Sequence, residues 1–260
     1  MNPAFAGTAS RDCVDAASPH LPYRSGHRCF ARHRLCHRAG VGKGRRAYRR
    51  GGANARGLEE LDDEIRKDGG SATLVPLSLT DSDGIARLGA ALHERHGKLD
   101  ILVGNAGVAG PSSPLGHIDL KAWNDVIAVN VTANFQLIRC MEPLLKRSDA
   151  GRAVFVTSAA ASKASAYLAP YAASKAALET LARAWAQETA SSSIRVNLFD
   201  PGPIRTRMRA SVFPGEDPAT LDTPEQAAEF ILPMCAPEWS ETGKLFEYKT
   251  RKLLSFRAPA

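Results

Sequence analysis

Short apolar runs and longer amphipathic stretches alternate along the chain from residue 57 onward. The apolar runs predict strands at 71–79, 99–103, 152–158, 194–199 and 243–248. Apolar positions at helical spacing predict helices at 57–68, 81–97, 120–147, 169–190 and 224–235. Because strands that alternate with helices pair in parallel and are covered on both faces, this order predicts an α/β fold with a Rossmann-like, doubly wound parallel sheet.

Residues 1–56 do not follow this alternation. They contain 11 arginines, four histidines and three cysteines, without a sustained apolar period. We therefore divide the chain into an aberrant basic segment at 1–56, which we expect to be poorly ordered, and an α/β domain at 57–260. The strand–loop–helix–strand unit that usually opens such a domain is expected to be missing or scrambled.

The net charge of +7 is concentrated in the basic segment. Residues 1–56 carry 12 Lys and Arg against two Asp, whereas residues 57–260 are mildly acidic. A nucleic-acid-binding function would therefore depend on the basic segment alone. The sequence has no run of 18 apolar residues and no apolar stretch behind a basic start, so we expect a cytoplasmic protein that does not bind membranes.

The basic segment also contains the one grouping that resembles a metal site. Cys29, His33, Cys36 and His37 lie close together in the sequence. Their spacing matches no familiar zinc pattern, and a tetrahedral site needs well-placed ligands. We therefore expect no metal site.

Ser158, Tyr171 and Lys175 form the main candidate site. Tyr171 and Lys175 lie four residues apart on a predicted helix, so both project from one face. Ser158 ends a buried strand, at the edge where open α/β sheets place their sites. A hydride transfer to or from a carbonyl carbon needs a group that gives or takes a proton at the oxygen, and a tyrosine beside a lysine meets that need.

The lysine matters because a free tyrosine has a pKa near 10. An ammonium about 4 Å away favours the phenolate by roughly 4 kcal/mol at an effective dielectric near 20, which corresponds to about three pKa units. We therefore expect Lys175 to lower the pKa of Tyr171. The hydroxyl of Ser158 would hold the substrate oxygen.

These residues and their neighbours resemble the short-chain dehydrogenase/reductase family, in its compact single-domain branch. LVGNAG (102–107) is similar to the family's Asn-Ala-Gly motif, with Gly104 where a second Asn is common. Asn130, in VNVTANF, matches the helix asparagine of the catalytic tetrad. The resemblance covers about 57–260.

Two further motifs depart slightly from the family pattern. DPGPIRTRM (200–208) resembles the Pro-Gly loop after the sixth strand, with Asp200 where Asn is frequent. In SLTD (78–81), Ser78 stands where the family usually has an aspartate that contacts adenine. The change weakens one contact and leaves a polar side chain.

The resemblance implies an NAD(P)-dependent oxidoreductase of a small alcohol or carbonyl substrate. Tyr171 would be the proton donor or acceptor, and Lys175 would lower its pKa and bind the ribose hydroxyls. Ser158 would orient the substrate oxygen, and Asn130 would hold a water that links Lys175 to solvent. The residues implied at the cofactor are Ser78, Leu79, Asn105, Ala106, Gly107, Tyr171, Lys175, Pro201, Gly202, Ile204 and Thr206.

The resemblance also implies a homo-oligomer, dimer or tetramer. The Ala-rich segment 172–190, with Leu178, Leu181 and Trp185, offers one face for it. Packing of that face on the chain's own sheet is an equally open interpretation.

The family's glycine-rich phosphate loop does not occur in residues 1–56. Its glycines let the backbone approach the pyrophosphate at a helix N-terminus, and Gly40, Gly42 and Gly44 lie among arginines without an apolar strand before them. Our hypothesis is that residues up to about 56 are an out-of-frame translation of a normal cofactor-binding segment. A shift by one base allows residues 26–55 to read as strand, phosphate loop, helix and strand, and the gene's nucleotide sequence decides it.

The shifted reading also bears on the choice of cofactor. Its second strand ends Ala-Arg-Thr without an acidic residue, which favours NADP over NAD. For the chain as it stands, we expect weak or absent NAD(P) binding. Three functions stay open: an oxidoreductase, a non-catalytic relative that does not hold the cofactor, and a basic nucleic-acid-binding protein, of which we expect the first and no nucleic-acid partner.

Overall fold

The computed structural model describes residues 13–17, 45–50, 63, 66–67, 71–75 and 77–256. Within them, eight strands form one sheet. Their bounds are β1 Cys13–Ala17, β2 Arg45–Arg50, β3 Ser71–Leu74, β4 Ile101–Gly104, β5 Arg152–Val156, β6 Arg195–Asp200, β7 Lys244–Glu247 and β8 Lys252–Ser255. The order across the sheet is β3-β2-β1-β4-β5-β6-β7-β8, and every neighbouring pair is parallel except β7 with β8. The predicted doubly wound sheet is confirmed.

The helices connect the strands in the predicted alternation. In the described residues the α-helices are α1 Ser82–His96, α2 Leu120–Ile127, α3 Ala133–Leu145, α4 Ala160–Lys163, α5 Ala169–Glu188, α6 Arg207–Val212, α7 Pro224–Ala228 and α8 Ile231–Met234. Short 3-10 helices lie at Leu115–His117 and Pro218–Thr220, and a π-helical turn lies at Ala128–Thr132. None of the helices in the described part of the chain has the length and hydropathy needed to span a bilayer.

Helix α1 shows how local sequence fixes an element. Asp81 caps its N-terminus by accepting a hydrogen bond from the amide of Gly84 at 2.8 Å. Gly97 ends it with φ +72°, a left-handed conformation that glycine adopts without steric cost, and its amide donates to the carbonyl of His93. These two caps explain why the helix begins after Asp81 and ends before Gly97.

The core lies on both faces of the sheet, because successive residues of a strand point to opposite sides. Leu102 and Phe155 belong to the core cluster that packs under α1, α3 and α5. The residues before them, Ile101 and Val154, belong to the cluster under α7 and α8. Strands buried on both faces explain why their sequences are apolar at consecutive positions.

Leu178 and Trp185, at 0% and 3% exposed, pack inside the chain. The alternative that these side chains form an oligomer face is therefore replaced by packing on the sheet.

Two strands come from the basic segment. We expected this unit to be missing or scrambled, yet β1 and β2 pair in parallel with each other and occupy the middle of one half of the sheet. The difference arises because we searched for apolar runs, whereas β1 contains Asp15 and β2 contains four arginines. The connecting residues 18–44, with the Cys29–His37 grouping and Gly40, Gly42 and Gly44, lie outside the described residues.

Two of the predicted helices differ from the observed ones. The helix predicted at 120–147 is divided by the π turn, and the helix predicted at 224–235 is two short helices. The chain adds β8, which we did not predict because all four of its residues are exposed and no buried face marks the sequence. Of the helix predicted at 57–68, the described residues Asp63, Arg66 and Lys67 are helical.

Candidate active site

Ser158 follows β5 at the carboxyl edge of the sheet, as predicted. The amide of Thr157 donates to the carbonyl of Phe199 at 2.9 Å, which holds the end of β5 against β6. The hydroxyl of Ser158 accepts from the amide of Ala160 at 3.2 Å and also hydrogen-bonds the phenol of Tyr171. The serine and the tyrosine are therefore adjacent although they lie on different elements.

Tyr171 and Lys175 project from the N-terminal half of α5, which has Pro170 in its first turn. The ammonium of Lys175 lies 5.8 Å from the centroid of the Tyr171 ring. It donates to the carbonyl of Val156 at 2.7 Å, which ties the helix to the end of β5. Lys175 is 3% exposed, so its charge is removed from bulk water.

Asn130 connects the loop after β4 to the active-site helix. Its Oδ1 accepts from the amide of Val108 at 2.8 Å, and its Nδ2 donates to the carbonyl of Val108 at 2.9 Å. The same Nδ2 donates to Oγ of Ser174 at 2.8 Å, and Ser174 donates to the main-chain oxygen of Tyr171 at 2.8 Å. Both amide hydrogens of Asn130 are thus used by hydrogen bonds within the protein.

Gly107 lies directly beside this cluster, as the last residue of the Asn-Ala-Gly motif. A Cβ at this position would lie 3.3 Å from Nζ of Lys175 and 3.5 Å from Oδ1 of Asn130. Asn105 and Gly107 are half-buried, whereas Ala106 is buried in the core. The bare backbone at Gly107 leaves room beside the lysine, which fits the approach of a ribose and nicotinamide.

The charges of the site are set mainly by burial. Burial raises the pKa of Tyr171, a hydrogen bond from Ser158 opposes this, and the charge of Asp200 adds to it. Burial lowers the pKa of Lys175 to about 8, and the charges of Asp200 and Glu179 act in the opposite direction. We expected Lys175 to lower the pKa of Tyr171, whereas here burial raises it and the hydrogen bond from Ser158 is the effect that opposes burial.

Two carboxylates complete the site behind the lysine. Glu179, one turn after Lys175, accepts from the hydroxyl of Thr157 at 2.7 Å. Asp200, at the end of β6, is 4% exposed and accepts from the amide of Gly202 at 2.9 Å. Burial is the largest cause that raises the pKa of both carboxyl groups.

The Pro-Gly loop lies at the same edge of the sheet. Gly202 has φ +61°, a conformation that favours glycine. Pro201 and Ile204 are half-buried in this loop. Thr206 caps α6 by accepting from the amide of Arg209 at 3.1 Å.

Ser78 and Leu79 lie after β3, farther along the same edge. The hydroxyl of Ser78 shares a hydrogen bond of 2.8 Å with the hydroxyl of Thr80. The Leu79 side chain is 1% exposed and belongs to the core, so only its main chain is offered to a ligand. The adenine end of the predicted site is therefore polar but carries no charge from these two residues.

The loop after Thr206 is held in a defined shape. Arg209 forms a bidentate ion pair with Glu216, at 2.6 and 2.7 Å, and its guanidinium lies 3.8 Å from the centre of the Phe213 ring. Arg205 donates to the carbonyls of Pro218 and Leu221. These contacts hold the segment 205–221 together from within.

A cavity of about 590 Å³ opens on the other face of α5. Its lining is mostly alanine, and it contains none of Asn130, Ser158, Tyr171 and Lys175. It is lined by Pro114, Leu115, Ala161, Ala164, Ser165, Ala166, Tyr167, Ala169, Ala172, Ala173 and Ala176. This cavity is therefore separate from the four candidate catalytic residues.

The four tetrad residues were predicted from the sequence, but the neighbouring groups that fix their positions were not. Ser174, Glu179 and the carbonyl of Val156 contact or surround the tetrad. Ser174 and Glu179 lie on α5 within four residues of Lys175, so helical spacing was the signal for them. In the described part of the chain, no group of His, Cys, Asp and Glu side chains is arranged to hold a metal ion.

Comparisons of sequence find a matching family and related proteins. The sequence model of the family described as short chain dehydrogenase matches residues 42–217. YciK of Escherichia coli K12, an uncharacterized oxidoreductase, is 36% identical over 184 residues, which are 70% of this chain and 73% of YciK. A cis-4-hydroxycyclohexanecarboxylate dehydrogenase of Sinomonas cyclohexanicum is 32% identical over 188 residues, which are 68% of this chain and 74% of that enzyme.

Solved structures share the fold over nearly the whole chain. A short chain dehydrogenase from Shigella flexneri, crystallised with NADP, has a TM-score of 0.80 and 29% identity, covering 93% of this chain and 99% of its own. A short chain dehydrogenase from Escherichia coli CFT073, crystallised with NADPH, has a TM-score of 0.79 and 29% identity, covering 93% and 98%.

Proposed function

Because the chain belongs to the short-chain dehydrogenase family, we propose that it is an NADP-linked oxidoreductase of an alcohol or carbonyl substrate. The observation that carries the proposal is the convergence of Ser158, Tyr171 and Lys175, from two different elements, beside the bare backbone of Gly107. The bound nicotinamide would supply or accept the hydride. The chain's own residues would bind the substrate oxygen and move its proton.

Each of these residues has a distinct part in the proposed reaction. The Ser158 hydroxyl would hold the substrate oxygen, and the phenol of Tyr171 would give a proton to it on reduction or take one on oxidation. Lys175, beside Gly107, would bind the ribose hydroxyls. Burial keeps Tyr171 protonated at neutral pH, which suits the direction of carbonyl reduction.

NADP is preferred over NAD on two grounds. The similar structures from Shigella flexneri and Escherichia coli contain NADP and NADPH. In this chain, β2 ends at Arg49 and Arg50, at the strand end where doubly wound sheets select the ribose 2′ substituent. A basic residue there favours a 2′-phosphate, whereas NAD-binding sites place a carboxylate.

The first test replaces the phenol oxygen. We expect Tyr171→Phe to lower the rate of NADPH-dependent carbonyl reduction about 10²- to 10⁴-fold, since this is the usual contribution of a general acid. The rate is followed by the absorbance of reduced nicotinamide at saturating cofactor, over a panel of ketones and aldehydes. Tyr167→Phe, at a 58% exposed tyrosine on the neighbouring loop, is the matched control.

The outcomes separate the proposed function from its alternative. Equal rates for Tyr171→Phe and the original chain would exclude the assigned acid. No turnover by the original chain, with folding intact, would favour the non-catalytic interpretation, for which the absence of a glycine-rich phosphate loop from residues 1–56 is the supporting observation.

A further inference from the structure

The main chain around Asn130 is not an ordinary α-helix. In the turn Ala128–Thr132 the amide of Ala133 bonds to the carbonyl of Ala128, five residues earlier instead of four. Such π turns insert an extra residue into a helix and are frequent at functional sites. Asn130 therefore lies in a wider turn, and its side chain reaches across to Val108 and Ser174.

Asn134 lies one turn later, at the start of α3, and is 1% exposed. Its Nδ2 donates to the main-chain oxygen of Asn130 at 2.8 Å. Its Oδ1 is one of two buried side-chain polar atoms, in the described part of the chain, that have no hydrogen-bond partner. The oxygen packs against β4, since a Cβ on Gly104 would lie 2.7 Å from it.

A buried acceptor without a partner is unfavourable, and folded proteins contain few of them. An apolar side chain of similar size would fill the same space without this cost. The useful part of the Asn134 side chain is therefore its donor, and the acceptor of that donor is the tetrad asparagine.

We infer that Asn134 is a positioning residue for the reaction. Its amide nitrogen holds the main chain of Asn130 in the π turn. Asn130 in turn fixes the loop at Val108, and through Ser174 it fixes the main chain of Tyr171. The inference rests on the proposed function where it concerns the rate, and on the hydrogen bonds alone where it concerns the loop.

A matched pair of substitutions isolates the donor. Threonine in a helix can donate its hydroxyl to the carbonyl four residues earlier, which here is the carbonyl of Asn130. Valine has the same shape without the hydroxyl. Asn134→Thr therefore keeps the proposed hydrogen bond, Asn134→Val removes it, and both remove the unpartnered oxygen equally.

The kinetic arm compares kcat and KM at saturating NADPH. We expect Asn134→Val to lower kcat about tenfold, as loss of one hydrogen bond would, with KM within about twofold. Asn134→Thr should restore kcat. Equal kcat values for the two variants, with equal temperatures of unfolding, would overturn the inference, because a packing role does not distinguish them.

The exchange arm needs neither cofactor nor substrate. Hydrogen exchange of the Val108 amide, which donates to Asn130, should be about tenfold faster in Asn134→Val than in Asn134→Thr. If no variant reduces any carbonyl, the proposed function fails while this comparison still decides the role of Asn134. Identical exchange at Val108 would refute that role, and faster exchange in the valine variant alone would support it.

Discussion

Lys175 is 3% exposed, and its ammonium donates to the carbonyl of Val156 at 2.7 Å. Burial lowers its pKa to about 8, although Asp200 and Glu179 act in the opposite direction. Below that pH the folded chain carries a charge that water would solvate better. At the scale of one residue, the lysine makes the stability of the protein depend on pH.

The sign of this dependence can be tested. In the unfolded chain Lys175 titrates near the ordinary lysine pKa, so between about pH 8 and that value the unfolded state binds more protons, and stability rises with pH. Compared with Lys175→Met, the original chain should gain up to about 1.4 kcal/mol per pH unit between about pH 8 and 9.5. Urea unfolding of both proteins across this range measures the difference, and a constant difference would contradict the buried charge.

Tyr171 affects how the stability of the protein depends on pH at the alkaline end of the range. Its pKa is raised by burial, so its contribution to stability is lost only above the ordinary tyrosine pKa near 10. Lys175 therefore changes the stability of the fold mainly below about pH 10, and Tyr171 changes it above that pH.

Sequence patterns identified the residues that carry chemistry but not those that hold them. Tyr171 and Lys175 share a helix face, so spacing alone brings them together. The partners of Asn130 lie 22 and 44 residues away in sequence, and one of them is a main-chain group, which leaves no trace in the pattern of side chains. Asn134 was within reach of helical spacing, yet its importance depends on a π turn.

At the scale of elements, β4 and α3 meet at Gly104. A Cβ there would lie 2.3 Å from Cδ1 of Phe155 and 2.7 Å from Oδ1 of Asn134, and both neighbours are buried. The two elements are therefore close because this strand residue has no side chain. Where the family commonly has an asparagine on this strand, the Asn134 side chain on α3 lies against Gly104 instead.

A substitution at Gly104 measures how tight this contact is. We expect Gly104→Ala to lower the free energy of unfolding by about 1–3 kcal/mol, the usual range for overpacking a core. Gly116→Ala is the control, because a Cβ at Gly116 meets nothing within 4 Å. Denaturant unfolding compares the two variants, and equal stability would show that Phe155 and Asn134 can move apart without cost.

The bounds of elements were predicted well where burial alternates with exposure and less well elsewhere. The caps Asp81 and Gly97 define α1 in the sequence and in the structure alike. The helix predicted at 120–147 was not divided at the π turn, because that turn is only five residues long and is helical on both sides. Exposed β8 has no apolar face, so pairing with β7 alone defines it.

At the scale of the whole molecule, two kinds of information disagree about the basic segment. Its composition lacks the glycine-rich loop, whereas the backbone places β1 and β2 in the sheet. Family membership agrees with the second, because the matched region begins at residue 42, inside the segment. The fold class could be predicted from residues 57–260 alone, but the number and order of strands could not, since β1 is interrupted by Asp15, β2 has four arginines and β8 has no buried face.

The affinity of the chain for NADPH tests the effect of the missing glycine-rich loop in the basic segment. Without the glycine-rich loop to hold the pyrophosphate, we expect NADPH to bind much more weakly than a dissociation constant of about 1 μM. Fluorescence titration of the full chain with NADPH, and with NADH for comparison, measures this. A micromolar constant would show that residues 18–44 hold the phosphates without that loop.

The strand order has a consequence for how the chain can change in evolution. β1 and β2 lie between β3 and β4, so these two strands are inside the sheet and not at its edge. Loss of these two strands would leave β3 without a neighbour and would expose the hydrogen-bonding edge of β4, an invitation to pair with other chains. Any change in the sequence of β1 or β2 is therefore limited first by the pairing that holds this half of the sheet together, before any question of what the segment binds.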